Sequence, residues 1–371
     1  MRQITFQLTF VLALSFLLGG CGTIFSRSND PYAHNSNSPD KSGVKPSKVY
    51  SGVSSDIQSF NPKDSIPVLI DLPLSLAADT FLLPTTLYEQ YTSDSRLQYA
   101  AVSGDIVAVR ELLKSGASVD AMDAHGHSVL MSASWAGQVE IVRLLLTHKP
   151  AINVQHPASK ESALSYAIKK KKDVRAHNAA EVLLLLLQSG AEPNLQDKDG
   201  RTALIHAVRM QNDEQVSLLL EHGADVNIVT SQGDSALLEA SWSTLRYMDP
   251  VLPGVIVKAL LEHGANVHAR NNKGRSSLQS AVSEDTTVMT MLLANRADPN
   301  MQGECGGTPL MYASEYGFAQ TVKLLIDSGA NVNAKYSGIC NRFNNETALT
   351  LARSGKHTAV INLLKNAGAQ E

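Results

Sequence analysis

From residue 93 onward the apolar positions fall into two short alternating patterns. One is a Ser/Thr-x-Leu-x-x-Ala element whose alanines are Ala100, Ala133, Ala167, Ala207, Ala240, Ala281, Ala313 and Ala352. The other is a run of the Val-x-x-Leu kind, such as Val142-Arg143-Leu144-Leu145 and Val322-Lys323-Leu324-Leu325. Apolar residues three and four apart predict short amphipathic helices, and the alternation predicts eight helix pairs. The alanines follow one another by 33, 34, 40, 33, 41, 32 and 39 residues. In each copy Ser or Thr caps the free N–H groups of the first helix. Pro309 sits in a first turn, where its missing donor costs nothing. The small Ala lets antiparallel helices approach, and the Leu pairs fill the layer between neighbouring repeats. The second helix ends at Gly116, Gly190, Gly223, Gly264, Gly329 and Gly368, each followed by Ala, with Lys149-Pro150 and Arg296-Ala297 in the same slot. Such a Gly closes a helix in the left-handed conformation. Asp225-Val226-Asn227 and Asn331-Val332-Asn333 then lead into a β-turn finger. The expected fold is an all-α solenoid of eight repeats over residues 93–371.

This pattern resembles the ankyrin repeat, a helix-turn-helix unit of about 33 residues. Thr308-Pro309-Leu310-Met311-Tyr312-Ala313 is the copy most similar to the family's Thr-Pro-Leu-His-x-Ala. The family's His is replaced by Met131, Ser165, Ile205, Leu238, Gln279, Met311 and Thr350, and the first copy, Ser95 to Ala100, is degenerate, as suits a terminal repeat. The resemblance implies a rigid surface for binding another protein. It also places the slot two residues after each Ala on the concave binding face. Both tryptophans of the chain, Trp135 and Trp242, occupy it. The same and adjoining slots hold Lys169, Lys170, Arg209, Met210, Ser243, Glu284, Glu315 and Tyr316, and the fingers add Lys198, Arg201, Arg270, Lys273 and Arg275. Trp, Tyr, Met and Arg are the residues that interface centres enrich. The alternative is that the tryptophans pack at repeat junctions.

Upstream of the repeats the pattern changes. Arg2 precedes an apolar run from Ile4 to Leu18, and Leu18-Gly19-Gly20-Cys21 follows. A basic start, a short apolar stretch and small residues read as a secretory signal over residues 1–20. With Cys directly after the small residues, it resembles the bacterial lipoprotein signal, which implies acylation of Cys21 and anchoring by lipid. Residue 22 is Gly rather than Asp, which by resemblance to the enterobacterial sorting rule favours the outer membrane. Residues 21–64 are rich in Ser, Asn, Asp, Pro and Gly and read as a flexible tether. The run from Ile66 to Pro84 is apolar but carries Asp71, Asp79, Pro67 and Pro73, so it does not span a bilayer. Cys21-Gly22-Thr23-Ile24, Tyr50-Ser51-Gly52-Val53 and the Asp71-Leu72-Pro73-Leu74-Ser75 stretch resemble the YceK/YidQ family of small enterobacterial lipoproteins. Residues 65–92 are expected to cap the first repeat.

Composition narrows the function classes. The chain has 371 residues, 43% hydrophobic and 18% charged, with a formal net charge of -3. That is globular, and gives no sign of a nucleic-acid partner. No phosphate loop, nucleophile elbow or paired-carboxylate motif is present, so no enzyme, cofactor or metal site is expected. His125-Gly126-His127 occupies a variable finger slot, and His222 and His263 read as helix C-terminal residues. Insertions around Lys169–Lys172, Arg246–Gly254 and Tyr336–Asn345 are binding loops or drift. With Cys21 taken by lipid, Cys305 and Cys340 remain, and their places in neighbouring fingers make them a candidate disulfide. The expected whole is a membrane-anchored protein-binding scaffold or inhibitor facing the periplasm. The alternatives are an immunity protein against an imported toxin and an accessory to envelope or oxidative-stress enzymes.

Overall fold

The computed structural model describes residues 85–168, 176–246, 251–303, 306–336 and 345–370. The signal segment, Cys21, the tether, most of the capping segment, Lys169, Lys170, Cys305 and Cys340 lie outside these residues, as do the centres of all three insertions. The side chain of Ser243 is also outside them.

Among the described residues the helices form eight successive pairs. The first four are α1 (Thr85–Ser103) with α2 (Ile106–Lys114), α3 (Val129–Ala136) with α4 (Val139–Thr147), α5 (Ala163–Ala167) with α6 (Ala176–Gln188), and α7 (Ala203–Arg209) with α8 (Asp213–Glu221). The next four are α9 (Ala236–Arg246) with α10 (Val251–Glu262), α11 (Ser277–Ser280) with α12 (Thr287–Ala294), α13 (Pro309–Tyr316) with α14 (Ala319–Asp327), and α15 (Ala348–Ser354) with α16 (Thr358–Asn366). First helices pack in series from α1 to α15, and second helices pack beside them. The helix α1 starts at Thr85, upstream of residue 93 where the repeat pattern begins. No helix among the described residues is long and apolar enough to cross a membrane.

Local chemistry accounts for the helix starts. The hydroxyls of Ser128, Thr202, Ser276, Thr308 and Thr347 each accept from the backbone N–H three residues on. The replacements for the family's His close several of these caps from the other side. The sulfurs of Met131 and Met311 accept from the N–H of Ser128 and Thr308, Gln279 Oε1 accepts from Ser276 N–H, and Thr350 Oγ1 accepts from Thr347 N–H. Two otherwise orphaned donors are thereby satisfied at each cap. Gln279 also donates to the carbonyls of Met301 and Gly307, which ties α11 to the next finger.

The core runs through the stack. Ala133, Ala167, Ala207, Ala313 and Ala352 are wholly buried, and so are the pairs Val142/Leu145, Val216/Leu219, Val257/Leu260 and Val322/Leu325. Truncating one such Leu to Ala would cost about 2–5 kcal/mol, because its neighbours on both sides of the repeat boundary lose contacts.

Two polar rows lock the repeats in register. At the ends of the second helices, Asn227 accepts from Asn266 N–H and donates to the carbonyl of Gly264 in the next repeat, and Asn194, Asn300 and Asn333 repeat this two-way bridge. On the other side the finger tips bond to one another. The N–H of Lys198 donates to Ser159 O, that of Ser231 to Asp199 O, and that of Asn272 to Gln232 O, at 2.8–2.9 Å. A Cβ at Gly200 would come within 2.7 Å of Ser231 N, so only Gly lets these tips approach.

Candidate protein-binding face

Fingers and first helices adjoin where Arg275 covers Trp242, and of the expected partner residues Trp135, Arg209, Trp242, Glu315 and Tyr316 lie on first helices while Lys198, Arg201, Arg270, Lys273 and Arg275 lie on fingers. Trp135 lies in the last turn of α3 and Trp242 in α9, with 44% and 39% of their surfaces exposed. Neither is enclosed by its repeat junction. Arg275 of the sixth finger lies over Trp242, its guanidinium carbon 4.4 Å from the ring centroid. Tyr316, at the end of α13, is 62% exposed and stacks on Phe318 with ring centroids 5.7 Å apart. The three aromatics sit on the second, fifth and seventh repeats, so they form a spaced row rather than one pocket.

The charged residues divide. Arg209, the last residue of α7, reaches Glu239 Oε1 of α9 at 3.4 Å, and Arg201 pairs with Asp199 on its own finger. Both arginines line a recess of about 130 Å³ between the fourth and fifth repeats, together with Asp234 and Glu239. With Asp199 also in its wall, the recess sets two guanidiniums against three carboxylates. Lys198, Arg270, Lys273 and Arg275 are exposed on the fingers, and Glu284 is exposed after α11. Glu315 is half-buried, and its carbonyl accepts from His357 Nε2 at 3.0 Å. Met210 is half-buried against the core rather than free on the face.

The histidines noted in the sequence have structural partners. His127 Nδ1 lies 3.0 Å from Asp123 Oδ2, and its ring is 4.7 Å from that of His156. His156 Nε2 in turn donates to the carbonyl of His125 at 2.8 Å. The rings of His222 and His263 each bond a carbonyl of the preceding turn at 2.8 Å, as expected of helix C-terminal residues.

A second row of groups on this face comes from the slot just before each Ala. It holds Tyr99, Tyr166, His206 and Glu239, and Tyr99 is 58% exposed. Residues three apart on a helix share a face, so the slot two after each Ala already implied the slot one before it. His206 Nε2 lies 2.9 Å from Asp197 Oδ2. Burial alone would raise the pKa of Asp197, but hydrogen bonds from His206 and from the N–H groups of Arg201 and Asp199 outweigh it and hold the carboxyl below its usual value. Tyr166 is pushed up, chiefly by burial and then by the charge of Glu161.

Comparison with known proteins agrees with this architecture. The family model for ankyrin repeats (3 copies) matches residues 97–184, 164–249 and 284–371. The chain is similar to the nuclear factor NF-kappa-B p105 subunit of Gallus gallus, 35% identical over 117 residues covering 31% of this chain and 11% of that protein. It is similar to Rabankyrin-5 of Mus musculus, 27% identical over 244 residues covering 60% of this chain and 21% of that protein. A third relative is an L-asparaginase of Dirofilaria immitis, 30% identical over 146 residues, covering 32% of this chain and 25% of that protein. The chain thus spans a quarter or less of the length of each. Ankyrin repeats typically bind proteins, and the matched segments cover more than half of the chain, which belongs to the ankyrin-repeat family.

Proposed function

We propose that this chain is a membrane-anchored protein-binding module, not an enzyme, that offers its finger-side face to another protein in the bacterial periplasm. The observation that carries the reading is the exposure of Trp135 and Trp242 on a face whose backbone is tied from finger to finger. A large rigid ring left open to water on a preorganised surface gains most when a partner covers it. The anchor is the lipid on Cys21, the membrane is the outer one, and Cys305 and Cys340 form a disulfide in that oxidising compartment. No nucleic acid is involved, since the net charge is -3 and the face mixes both signs.

Affinity capture with the full chain, quantified by mass spectrometry, tests the binding face. A protein recovered by the wild type and lost by both Trp135→Ala and Trp242→Ala supports it. An identical set of proteins captured by all three versions would refute it.

A further inference from the structure

The third and fourth fingers and α7 bring three metal-binding side chains together. One ligand atom each from Glu161, Asp197 and His206 lie within 4.8 Å of one another, and all three residues are half-buried. We propose that these residues form a site for one divalent transition-metal ion of the zinc class, a function that goes beyond protein binding and stands independently of it.

The division of labour at Asp197 supports this. Its Oδ1 is occupied by the N–H groups of Asp199 and Arg201, both at 2.8 Å, which fixes the carboxylate plane. Its Oδ2 remains for His206 Nε2, at 2.9 Å. The Arg201 guanidinium is turned to Asp199 and stays 4.0 Å from Asp197. Two carboxylates and one imidazole thus face one small volume, where a divalent cation would balance the charge. Metal–ligand bonds of about 2.0–2.2 Å in tetrahedral geometry put ligand atoms about 3.3–3.6 Å apart. The ligand atoms lie within 4.8 Å of one another, and the Asp197–His206 pair at 2.9 Å would open slightly, so shifts on the order of 1 Å reach that spacing.

The backbones are held for it. Gln155 of the third finger donates to the carbonyl of Gln196 at 2.8 Å, and Lys198 N–H donates to Ser159 O at 2.9 Å. These bonds flank Glu161 on one finger and Asp197 on the other, so a bound ion loses little by ordering the loops. The imidazole selects against calcium, which takes six to eight oxygens. Three protein ligands leave a coordination position for water or for a side chain of a partner.

Isothermal titration of the full chain with zinc chloride tests the site, alongside Glu161→Gln, His206→Gln and the control His125→Ala. Gln at 206 retains an amide donor for Asp197, so this variant keeps the local hydrogen bond. One ion is expected to bind the wild type and the control alike, with both site variants weakened about tenfold or more. Zinc should also raise the unfolding temperature of the wild type but not of the site variants, and calcium should do neither. Zinc affinity unchanged in both site variants, or no saturable binding to the wild type, would overturn the assignment. Loss of affinity in the His125→Ala control alone would do so as well.

Discussion

Arg275 and Trp242 belong to neighbouring repeats, and the guanidinium of one covers the indole of the other at 4.4 Å. The pair links the sixth finger to α9 and leaves 39% of the Trp exposed. A cation over an aromatic face at a partly exposed site contributes about 0.5–1 kcal/mol. A double-mutant cycle of Arg275→Ala and Trp242→Ala, read by urea unfolding, should return a coupling of that size. If Trp242 is a hot spot, its truncation should weaken partner binding by about 2 kcal/mol or more. A stability loss of about 3–5 kcal/mol, as for a core aromatic, with unchanged partner affinity would make it a packing residue instead.

The repeat architecture was legible because each position has one dominant physical demand. Ala133 and Ala313 are where helices touch, Leu145 and Leu325 fill the layer between repeats, and Gly223 closes a helix in the left-handed region at φ +83°. Those demands restrict residue type, so they recur at a fixed period. The finger-to-finger row is different. It is made by backbone groups of Ser159, Lys198, Asp199, Ser231, Gln232 and Asn272, which place little demand on their own side chains and restrict only the neighbouring tip glycines, Gly200 and Gly233. The Glu161, Asp197 and His206 cluster was hidden for another reason. Its members come from three separate segments, and no spacing within one segment reports their approach. Met210 shows what spacing leaves open, since a residue at a helix end can turn to the core or to the face, and here it is half-buried and packs against the core.

Gly307 marks a close approach in the seventh repeat. A Cβ there would lie 2.8 Å from the Tyr312 hydroxyl and 2.9 Å from the ring edge and hydroxyl of Tyr336. Tyr336 is only 4% exposed, and its pKa is pushed up chiefly by burial, so its ring has little room to retreat. Gly307→Ala should therefore destabilise the chain by about 1–3 kcal/mol. Gly254→Ala is the contrast. Its Cβ would meet Thr287 Cγ2 at an ordinary 3.4 Å inside α10, and removing a helical Gly should stabilise by about 0.5–1 kcal/mol. Thermal unfolding of the two variants checks both signs.

Asp123 gives a pH signature. Burial alone would raise its pKa, but the N–H and imidazole of His127 and the N–H of His125 together lower it below the usual value. A carboxyl with a depressed folded-state pKa stabilises the fold fully above its unfolded value of about 3.9. That contribution is lost as pH falls through the lower folded value. Asp123→Asn should cost about 1 kcal/mol at neutral pH, with the gap to the wild type closing as pH drops below about 4. Urea unfolding at several pH values measures the gap, and a gap that widened below about pH 4 would contradict the assignment.

The proposed lipid anchor on Cys21 makes a separate prediction at the other end of the chain. Cys21→Ala should either release the protein into the soluble extracytoplasmic fraction or leave an uncleaved precursor, because two or three acyl chains give an attachment that the peptide alone lacks. Fractionation with immunoblotting decides it. A processed variant that stays with membranes as the wild type does would remove the basis for lipid anchoring.

The helix-closing slot allows a test of backbone strain free of contacts. Gly116, Gly190, Gly223, Gly264, Gly329 and Gly368 all have positive φ there, and a Cβ on Gly223 would meet nothing within 4 Å. In the same slot Arg296 is held at φ 66° and Lys149 at φ 52°. A side chain in this region costs about 1–2 kcal/mol, while Gly costs some stability by freeing the unfolded chain, about 0.4–1 kcal/mol. Arg296→Gly should then stabilise by roughly 0.5–1 kcal/mol, and Gly223→Ala should destabilise by a similar amount. Both effects act through the backbone alone, so they should add in the double variant, whose sites lie two repeats apart. Chemical unfolding of the two single variants and the double decides it. A destabilised Arg296→Gly would mean that the Arg side chain contributes more at that helix end than its backbone strain removes.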